Sequence, residues 1–391
     1  MNLKTMRILL MSVDNPYVVE IGGKHIHLLL LERGLRSWGT EVTTLYYMKK
    51  GINDFFWRCV SKPLPTHLKY KVRYRNMISY LERNVPPKDY DLVHAHDVLS
   101  LLAVCSRPQK KILTLHGYFA RENIEFEHVE DKERAKLYEE LLQFEKESLN
   151  YADYVITVDN RLKEYLVSEF RYPENQITVI HNAVDTDRFQ PVSNNEQNKF
   201  KKDLRYDEKD FLILVPRRLV QKNGVIYAVK AMEYLKEENF RLVIAGDGPE
   251  KENIIEEAQK DRRIHLVGLI PHQNIDAYYK AADIVLIPSI TSHDVQEASS
   301  LAMLEGMACG KTVVCSDIGG MREIMKNMEN GILVKERDPL DIARAIQIAI
   351  QDPKLREAIS NNARAEVVKD HSYLVHAKKT LDIYRSVLEG R

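Results

Sequence analysis

The chain has 391 residues, 44% hydrophobic and 29% charged, which is typical of soluble α/β proteins and sufficient for two sizeable cores. Lys plus Arg and Asp plus Glu each number 57, so the net charge is zero and bulk attraction to nucleic acid is not indicated. Four cysteines without CxxC spacing indicate reduced thiols and favour a cytoplasmic protein. No apolar run approaches the roughly 18 residues of a membrane-spanning helix.

A basic segment, 55–81, interrupts this balance. It contains no Asp or Glu, and its cations are interleaved with aromatic residues (Arg58, Lys62, Lys69, Lys71, Arg73 and Arg75, with Phe55, Phe56, Trp57, Tyr70 and Tyr74). Such a segment can lie on an anionic bilayer or hold a phosphorylated acceptor. The alternative is a solvated face balanced by acids elsewhere in the fold. Peripheral contact with an anionic membrane therefore stays open.

Strand-like apolar runs alternate with helical patterns in the first half, which predicts a parallel sheet built from βαβ units. Strands are expected at 6–13, 41–47, 91–95, 111–115, 154–158 and 177–180. Helices are expected at 23–38, 70–83, 97–104, 131–151 and 160–169. The apolar run 6–11 is too short for a signal peptide and is assigned to the first strand.

The second half repeats this pattern. Strands are expected at 211–216, 241–246, 264–267, 284–287, 312–315 and 332–334. Helices are expected at 225–236, 249–259, 274–281, 300–308, 320–325, 339–350 and 353–368.

Residues 190–198 are polar and aperiodic, and they form the predicted linker. The helical C-terminal segment, 374–391, follows the complete second domain and is expected to cross back onto the first. The predicted fold class is α/β, with doubly wound domains at 1–190 plus 374–391 and at 191–373. In such domains ligands bind at the carboxyl ends of the strands, and a cleft between two domains is a common site.

Two glycines, Gly22 and Gly23, follow the first strand and open a helix. Paired glycines at a helix start let backbone N–H groups approach a ligand. A tight turn explains the pair equally well, and the sequence around it is not a GxGxxG dinucleotide motif.

Three histidines lie at predicted strand ends. His94 and His96 end one strand and His116 ends another. Three imidazoles can hold zinc, but Asp97 is the one acid close by, so we predict no metal. A histidine that faces the cleft can instead bind a sugar hydroxyl or a leaving phosphate, and a structural role is open for His94.

Two cations, Arg218 and Lys222, lie between a strand and a helix start, where they can stabilise a departing diphosphate without a metal. A solvated loop is the alternative. Gly246 ends the next strand in a tight turn and could pack against a ligand. Asp185 and Asp187 form an Asp-x-Asp of the type that holds manganese, but their position before the linker favours a turn with Asp caps.

Two glutamates, Glu297 and Glu305, are the most informative pair in the chain. They follow the apolar strand 284–287, and the helix between them is expected to begin near Ser299 or Ser300. Unpaired N–H groups and the positive dipole end at such a start suit a phosphate. The two glutamates would lie roughly 12 Å apart if the segment were fully helical, so one could hold a sugar and the other a ribose.

Several stretches together resemble retaining glycosyltransferases of family 4. These are EASSLAMLEGMACGKTVVCSDIGG at 297–320, RRLVQKNG at 217–224, VIAGDGP at 243–249, IHNAVDTDRF at 180–189 and NGILV at 330–334. The resemblance implies the GT-B fold, with two facing Rossmann-like domains, and no bound metal. It also implies a C-terminal domain that binds a nucleotide-sugar and an N-terminal domain that binds a saccharide, lipid-linked or small-molecule acceptor.

By this resemblance Glu297 contacts the hydroxyls of the donor hexose and Glu305 contacts the ribose. Arg218 and Lys222 hold the diphosphate, with help from the backbone amides at 300–301 (Ser300 and Leu301). UDP is expected as the nucleotide, with GDP second. No cofactor is expected beyond the nucleotide-sugar itself.

The resemblance also assigns roles in the first domain. Gly23 approaches the donor phosphate, and His116 contacts the transferred sugar near the reacting centre. The departing phosphate helps to deprotonate the acceptor on the same face of the sugar, which retains the anomeric configuration.

Some positions depart from the family pattern. Arg217 stands where many members have glycine, Ala183 where many have Gly after Asn182, and 298–300 (Ala-Ser-Ser) replaces a frequent Gly-Phe-Gly. These changes are expected to reshape the sugar-donor pocket.

Two other functions remain open at this stage. A nucleotide-sugar epimerase of similar architecture would form product from the donor alone. A non-catalytic nucleotide-sugar-binding module would lack the cation pair or Glu297, yet both are present. Dependence on manganese would instead point to Asp185 and Asp187.

Overall fold

The computed structural model describes residues 5–17, 23–48, 64–126 and 131–390, without the side chains of 125, 126, 131 and 132. The chain forms two compact units. The first contains the described residues up to His181 together with His376 onward, and the second contains Asn182–Val375. The first boundary between the units therefore lies between residues 181 and 182, whereas the sequence suggested a boundary at residue 190.

The first unit is a six-stranded sheet in the order β2-β1-β3-β4-β5-β6, with every recorded pairing parallel. Its strands are β1 (Arg7–Ser12), β2 (Glu41–Tyr46), β3 (Leu92–Ala95), β4 (Lys110–Leu115), β5 (Tyr154–Thr157) and β6 (Ile177–Val179). Its helices are α1 (Gly23–Ser37), α2 (Thr66–Asn84), α3 (Val98–Leu102), α4 (Phe119–Phe126), α5 (Asp131–Tyr151) and α6 (Asn160–Phe170). A 3₁₀ turn spans Glu174–Gln176.

The C-terminal helix α15 (Tyr373–Glu389) completes the core of the first unit, as the sequence predicted. Its apolar side chains, including Leu381 and Tyr384, join a buried cluster with Leu10 and Leu31. Burying such side chains is the main favourable contribution to folding. The helix is therefore part of the first unit in space although it follows the second in sequence.

The second unit is also a parallel six-stranded sheet, in the order β12-β11-β10-β7-β8-β9. Its strands are β7 (Phe211–Val215), β8 (Phe240–Ala245), β9 (Ile264–Gly268), β10 (Ile284–Ile287), β11 (Thr312–Ser316) and β12 (Ile332–Val334). Its helices are α7 (Asn194–Asp203), α8 (Val225–Ala231), α9 (Lys251–Ala258), α10 (Ile275–Ala281), α11 (Leu301–Ala308), α12 (Met321–Ile324), α13 (Pro339–Gln351) and α14 (Pro353–Glu366). Short 3₁₀ turns span Gln221–Asn223, Met232–Tyr234 and His272–Asn274, and a π-helical turn spans Val367–His371.

Successive residues of the central strands pack into two separate cores. On β7, Leu212 and Leu214 belong to one buried cluster, whereas Ile213 and Val215 belong to the other. Alternate side chains of a strand point to opposite faces, so both faces of this sheet are covered. This explains why its strands are continuous apolar runs in the sequence.

Two helices differ from the sequence expectation. The predicted linker overlaps the first part of α7, which begins at a capping box in which Ser193 and Glu196 bond each other's backbone N–H groups. The polarity of this segment hid the signal because most of the helix is exposed. Helix α4 was also not predicted. None of the described helices is both long and apolar enough to cross a bilayer.

Candidate functional site

The predicted nucleotide-sugar residues gather at the carboxyl edge of the second sheet. Strands β8 and β9 are added on one side of β7, and β10, β11 and β12 are added on its other side. The strand order therefore reverses at the boundary between β7 and β10. Ligands of doubly wound sheets bind outside the carboxyl ends at such a switch point. The loop after β7 carries Arg217 and Lys222, and the loop after β10 carries Glu297.

Arg217 connects these two loops. Its Nη2 lies 3.0 Å from Oε2 of Glu297, and the Arg217 side chain is 8% exposed. The same nitrogen donates to Ser289 Oγ at 3.0 Å and to the Asn223 side-chain carbonyl, while Nη1 donates to Ser300 Oγ at 3.1 Å. Arg217 is thus the centre of a buried polar network.

The loop before helix α11 is also attached to the IHNAV stretch. The Asn182 backbone N–H donates to Ser299 Oγ at 2.9 Å, and its side-chain amide donates to the Ser299 carbonyl at 2.8 Å. Ser299 and Ser300 are both almost completely buried. Helix α11 begins at Leu301 with Ser300 as N-cap, which confirms the predicted start.

Glu305 lies inside α11 and is buried. Its Oε1 lies 2.8 Å from Nε2 of His272, in the loop after β9. Arg188 contacts the other ring nitrogen of this histidine, with Nη1 3.2 Å from Nδ1. Arg188 also pairs with Asp276 at 3.0 Å. Because arginine can only donate, Nδ1 accepts and the proton resides on Nε2, which donates to Glu305. Burial, reinforced by the nearby Glu305 carboxylate, raises the pKa of Tyr279 well above its usual range.

The two predicted phosphate-binding cations lie beside this network. Arg218 is exposed and Lys222 is half-buried. The Lys222 carbonyl accepts from the Ile290 N–H at 2.8 Å, which holds the β7 and β10 loops together. Gly224 then adopts a left-handed φ of 61° before α8 begins.

Gly246 has a structural reason to be glycine. A Cβ at this position would collide with the Arg217 carbonyl oxygen. The close approach that the sequence suggested for a ligand is therefore made by the chain itself. Gly246 supports the backbone of the loop that carries Arg217 and Arg218.

The corresponding edge of the first unit carries a histidine cluster. His94 bonds Tyr384 and Thr114 at 2.6 and 2.7 Å, so it is a satisfied structural residue. Burial lowers the pKa of His94 to about 3 and that of His96 and His116 well below their usual range, with nearby histidine charge acting in the same direction. His116 therefore presents a neutral imidazole near pH 7.

A metal could be held in this cluster by three imidazoles. Ligand nitrogens of His27, His96 and His116 lie within 4.8 Å of one another, and no other His, Cys, Asp or Glu group in the described residues has this spacing. Neutral imidazoles suit zinc, but the Lys24 ammonium acts on both His96 and His116 and opposes a second cation. The expectation of no metal stays a prediction.

Lys24 ties together the loops at the switch point between β1 and β3. Its Nζ lies 2.5 Å from Asp14 and 3.4 Å from Asp97, and Asp97 also caps α3. Gly23 is the first residue of α1, directly before this lysine. Gly22 falls outside the described residues.

Two other sequence motifs are placed by the structure. Asp185 accepts from the backbone N–H groups of Asp187 and Arg188, each at 3.2 Å, which is the predicted turn. In the described part of the basic segment, Lys71 and Arg75 pair with Glu140 and Glu147 of α5. The charges of these two cations are therefore balanced by acids that are distant in sequence, which is the alternative to a membrane or acceptor contact. Residues 55–63 lie outside the described residues.

Two family profiles match adjacent parts of the chain. Residues 21–188 match the profile described as Glycosyltransferase Family 4, and residues 196–366 match Glycosyl transferases group 1. The chain belongs to the family 4, group 1 glycosyltransferases. It is therefore an enzyme of the glycosyltransferase class, and its two parallel sheets are those of the GT-B fold.

Individual proteins agree with this assignment. An uncharacterized glycosyltransferase of Methanocaldococcus jannaschii is 28% identical over 98% of this chain and 99% of its own length. The fold is similar to that of sucrose-phosphate synthase from Thermosynechococcus elongatus, with a TM-score of 0.78, 21% identity and coverage of 99% and 100%. It is also similar to an Anabaena protein in complex with UDP, with a TM-score of 0.70, 16% identity and coverage of 98% and 100%.

Several residues of this candidate site were not predicted from the sequence. His272 and Arg188 carried no motif that linked them to Glu305, although His272 does follow a strand end, which is a usable signal. Asn223 and Ser289 bond Arg217; Ser289 follows the end of β10 closely, whereas Asn223 lies in the turn before α8. The sequence offered no role for Lys24.

Proposed function

We propose that this glycosyltransferase moves a hexose or N-acetylhexosamine from a UDP-linked sugar to a saccharide, lipid-linked or small-molecule acceptor. The observation that carries the proposal is the pairing of both key carboxylates at one sheet edge, Glu297 with Arg217 and Glu305 with His272. A carboxylate that is oriented by a basic partner can accept hydroxyl hydrogen bonds in a defined direction. Glu297 is assigned to the sugar and Glu305 to the ribose.

The diphosphate is assigned to the region between them. Helix α11 begins there, and its Ser300 side chain makes no capping bond. Its first backbone N–H groups are therefore not capped by that hydroxyl, and they suit an anion. Arg218 and Lys222 add positive charge from the neighbouring loop, which supports departure of a nucleoside diphosphate without a metal.

Retention of anomeric configuration is proposed from the family resemblance. In that mechanism the departing phosphate accepts the acceptor proton on the face from which it leaves. His116 is assigned to the transferred sugar on the same basis. Its lowered pKa means that it acts as a neutral hydrogen-bonding group and not as an imidazolium acid.

UDP is proposed as the nucleotide because it is frequent in the family and because an Anabaena protein of similar fold was crystallised with it. GDP is the second choice. Nothing in the arrangement of Glu297 and Glu305 favours the epimerase or a non-catalytic binding module.

Binding of UDP- and GDP-sugars, measured by thermal shift and calorimetry with EDTA present, tests the sugar-donor assignment. UDP-sugars are expected to raise the melting temperature in EDTA. Transfer assays with candidate acceptors then measure the release of UDP. NMR of the product reports its anomeric configuration. Absence of binding to every nucleotide-sugar would overturn the proposal, and an inverted product would overturn the retaining mechanism.

A further inference from the structure

We propose that Arg217 is a positioning residue that sets sugar-donor selectivity by fixing Glu297 and Ser300 in one arrangement. The inference rests on the proposed function, because it concerns the sugar part of the same site. Arg217 itself is not assigned a contact with the sugar. It acts through the two residues that it holds.

The contacts of Arg217 span the switch point of the second sheet. The side chain starts after β7, and its terminal nitrogens reach Ser289, Glu297 and Ser300, which all follow β10. The remaining partner, Asn223, lies in the turn before α8. One guanidinium therefore joins the loop after β7 to the loop after β10, which are far apart in sequence.

The planar guanidinium restricts the Glu297 carboxylate. Nη2 forms an ion pair with Oε2 of Glu297 at 3.0 Å, and the hydrogen bonds that the same nitrogen donates to Ser289 and Asn223 hold it in place. An arginine fixed by several partners holds a carboxylate more rigidly than a lysine, whose ammonium is a mobile point charge. Because the pair is nearly buried, solvent screening of the interaction is weak. Glu297 therefore offers its oxygens to a ligand from one orientation.

Ser300 shows that the arrangement is specific. An N-cap serine normally accepts from the backbone of its own helix, but Ser300 accepts instead from Nη1 of Arg217 at 3.1 Å. A glycine at either position could not form this bond. Through Arg217 the bond joins Glu297 to the start of α11.

A carboxylate in a fixed orientation distinguishes hydroxyl configurations. A site built to bond one hydroxyl rejects an analogue that presents it elsewhere, because the buried polar group is then left unpaired. If Arg217 fixes Glu297, its loss should lower selectivity between two sugars that differ at one ring carbon. Affinity for the nucleotide alone should change little.

The test compares Arg217→Met, Arg217→Lys and Ser300→Ala with the wild type. The matched control is Arg262→Met, which removes an exposed ion pair with Glu238 in the same unit. Calorimetry measures the affinity of each variant for UDP, UDP-glucose and UDP-galactose. We expect Arg217→Met to weaken the preferred UDP-hexose about tenfold or more and to reduce the preference between the two hexoses, with UDP affinity changed less than about threefold. Arg217→Lys should recover part of the loss, and Arg262→Met should match the wild type.

Two results would overturn the inference. One is an unchanged hexose preference in Arg217→Met, and the other is an equal loss for UDP and UDP-hexose, which would indicate general disruption of the loops. If Arg217→Met does not fold, as judged by its melting curve, the same criteria apply to Arg217→Lys and Ser300→Ala. A wild type that binds no nucleotide-sugar would refute the proposed function itself, whereas a binding wild type with unaltered variants refutes only the role of Arg217.

Discussion

Arg217 and Glu297 form an ion pair across the switch point between β7 and β10, with Nη2 and Oε2 3.0 Å apart. The pair is nearly buried, so each member is costly to leave alone. Removing one partner of a buried pair lowers the free energy of unfolding by much more than the pair contributes to it, because the other charge stays buried without compensation. The sugar-binding assignment of Glu297 can therefore be tested only together with its effect on folding.

Glu297→Gln should lower both activity and stability. The amide keeps the shape of the side chain but loses the ion pair with Arg217 and would lose the charge-assisted bond assigned to the sugar, which is worth about 1.5–3 kcal/mol. We expect kcat/KM for sugar transfer to fall at least about tenfold. Glu238→Gln, at an exposed ion pair, is the control. An active, fully stable Glu297→Gln enzyme would contradict the assignment.

Lys222→Ala should slow the chemical step. By analogy with the loss of one oxyanion donor, kcat is expected to fall by about 10²–10³ because the leaving diphosphate loses a cation. Lys222→Arg should keep part of the activity, and Lys230→Ala, at an exposed position near the end of α8, should have no effect. Steady-state release of UDP measures these rates, and wild-type turnover in Lys222→Ala would remove Lys222 from the mechanism. The same experiment applies to Arg218→Ala.

His272→Phe should weaken binding of the nucleotide. The phenyl ring keeps the volume but removes the Nε2–H that orients Glu305 and the Nδ1 that receives Arg188. We expect UDP affinity to fall about tenfold, the equivalent of one hydrogen bond to a charged group. His265→Phe, in β9 of the same unit, is a matched control. Equal calorimetric affinities for UDP in His272→Phe and the wild type would separate His272 from the ribose site.

Stability should fall on acidification. The pKa values of His94, His96 and His116 are lowered in the folded protein, so below about pH 6.5 the unfolded chain binds more protons. Stability is present above that pH and is lost as pH falls, by about 1.4 kcal/mol per pH unit for each histidine. Burial raises the pKa of Glu145 to about 7. This carboxyl group therefore binds one proton more readily in the folded protein, which offsets part of the loss of stability on acidification.

Urea unfolding between pH 7 and 5 measures this dependence. His94→Gln should reduce the slope by about one proton, since it removes one of the three histidines. The substitution also perturbs the bonds to Thr114 and Tyr384, so the slope and not the absolute stability is the relevant quantity. A flat profile over this range would show that the histidines are not held neutral.

Ser193→Ala should destabilise the second unit through α7. Loss of an N-cap serine costs about 1 kcal/mol of unfolding free energy. Ser360→Ala, where the serine lies within α14 and bonds only the Glu357 carbonyl among the contacts described, is the control and should be neutral or slightly stabilising. Equal urea midpoints for the two variants would mean that the capping box contributes nothing.

Much of the fold could be predicted because its signals are local. Strands such as β7 and β10 are covered on both faces, so they appear as short apolar runs bounded by turns. Helix α11 was placed within one residue because Ser300 precedes a helical repeat of apolar residues. Helix α7 was not, because a mostly exposed helix without an apolar stripe differs little from a polar linker.

The sequence by itself determined the class of the enzyme, the two doubly wound sheets and the stretch from Glu297 to Glu305. Those features rest on neighbouring residues and on strand ends, which parallel sheets bring to one edge. Only the tertiary structure decided which side chains hold the two glutamates. Arg217 reaches Glu297 and His272 reaches Glu305 across gaps of 80 and 33 residues, and no periodicity encodes such pairs because they depend on the order of strands in the sheet.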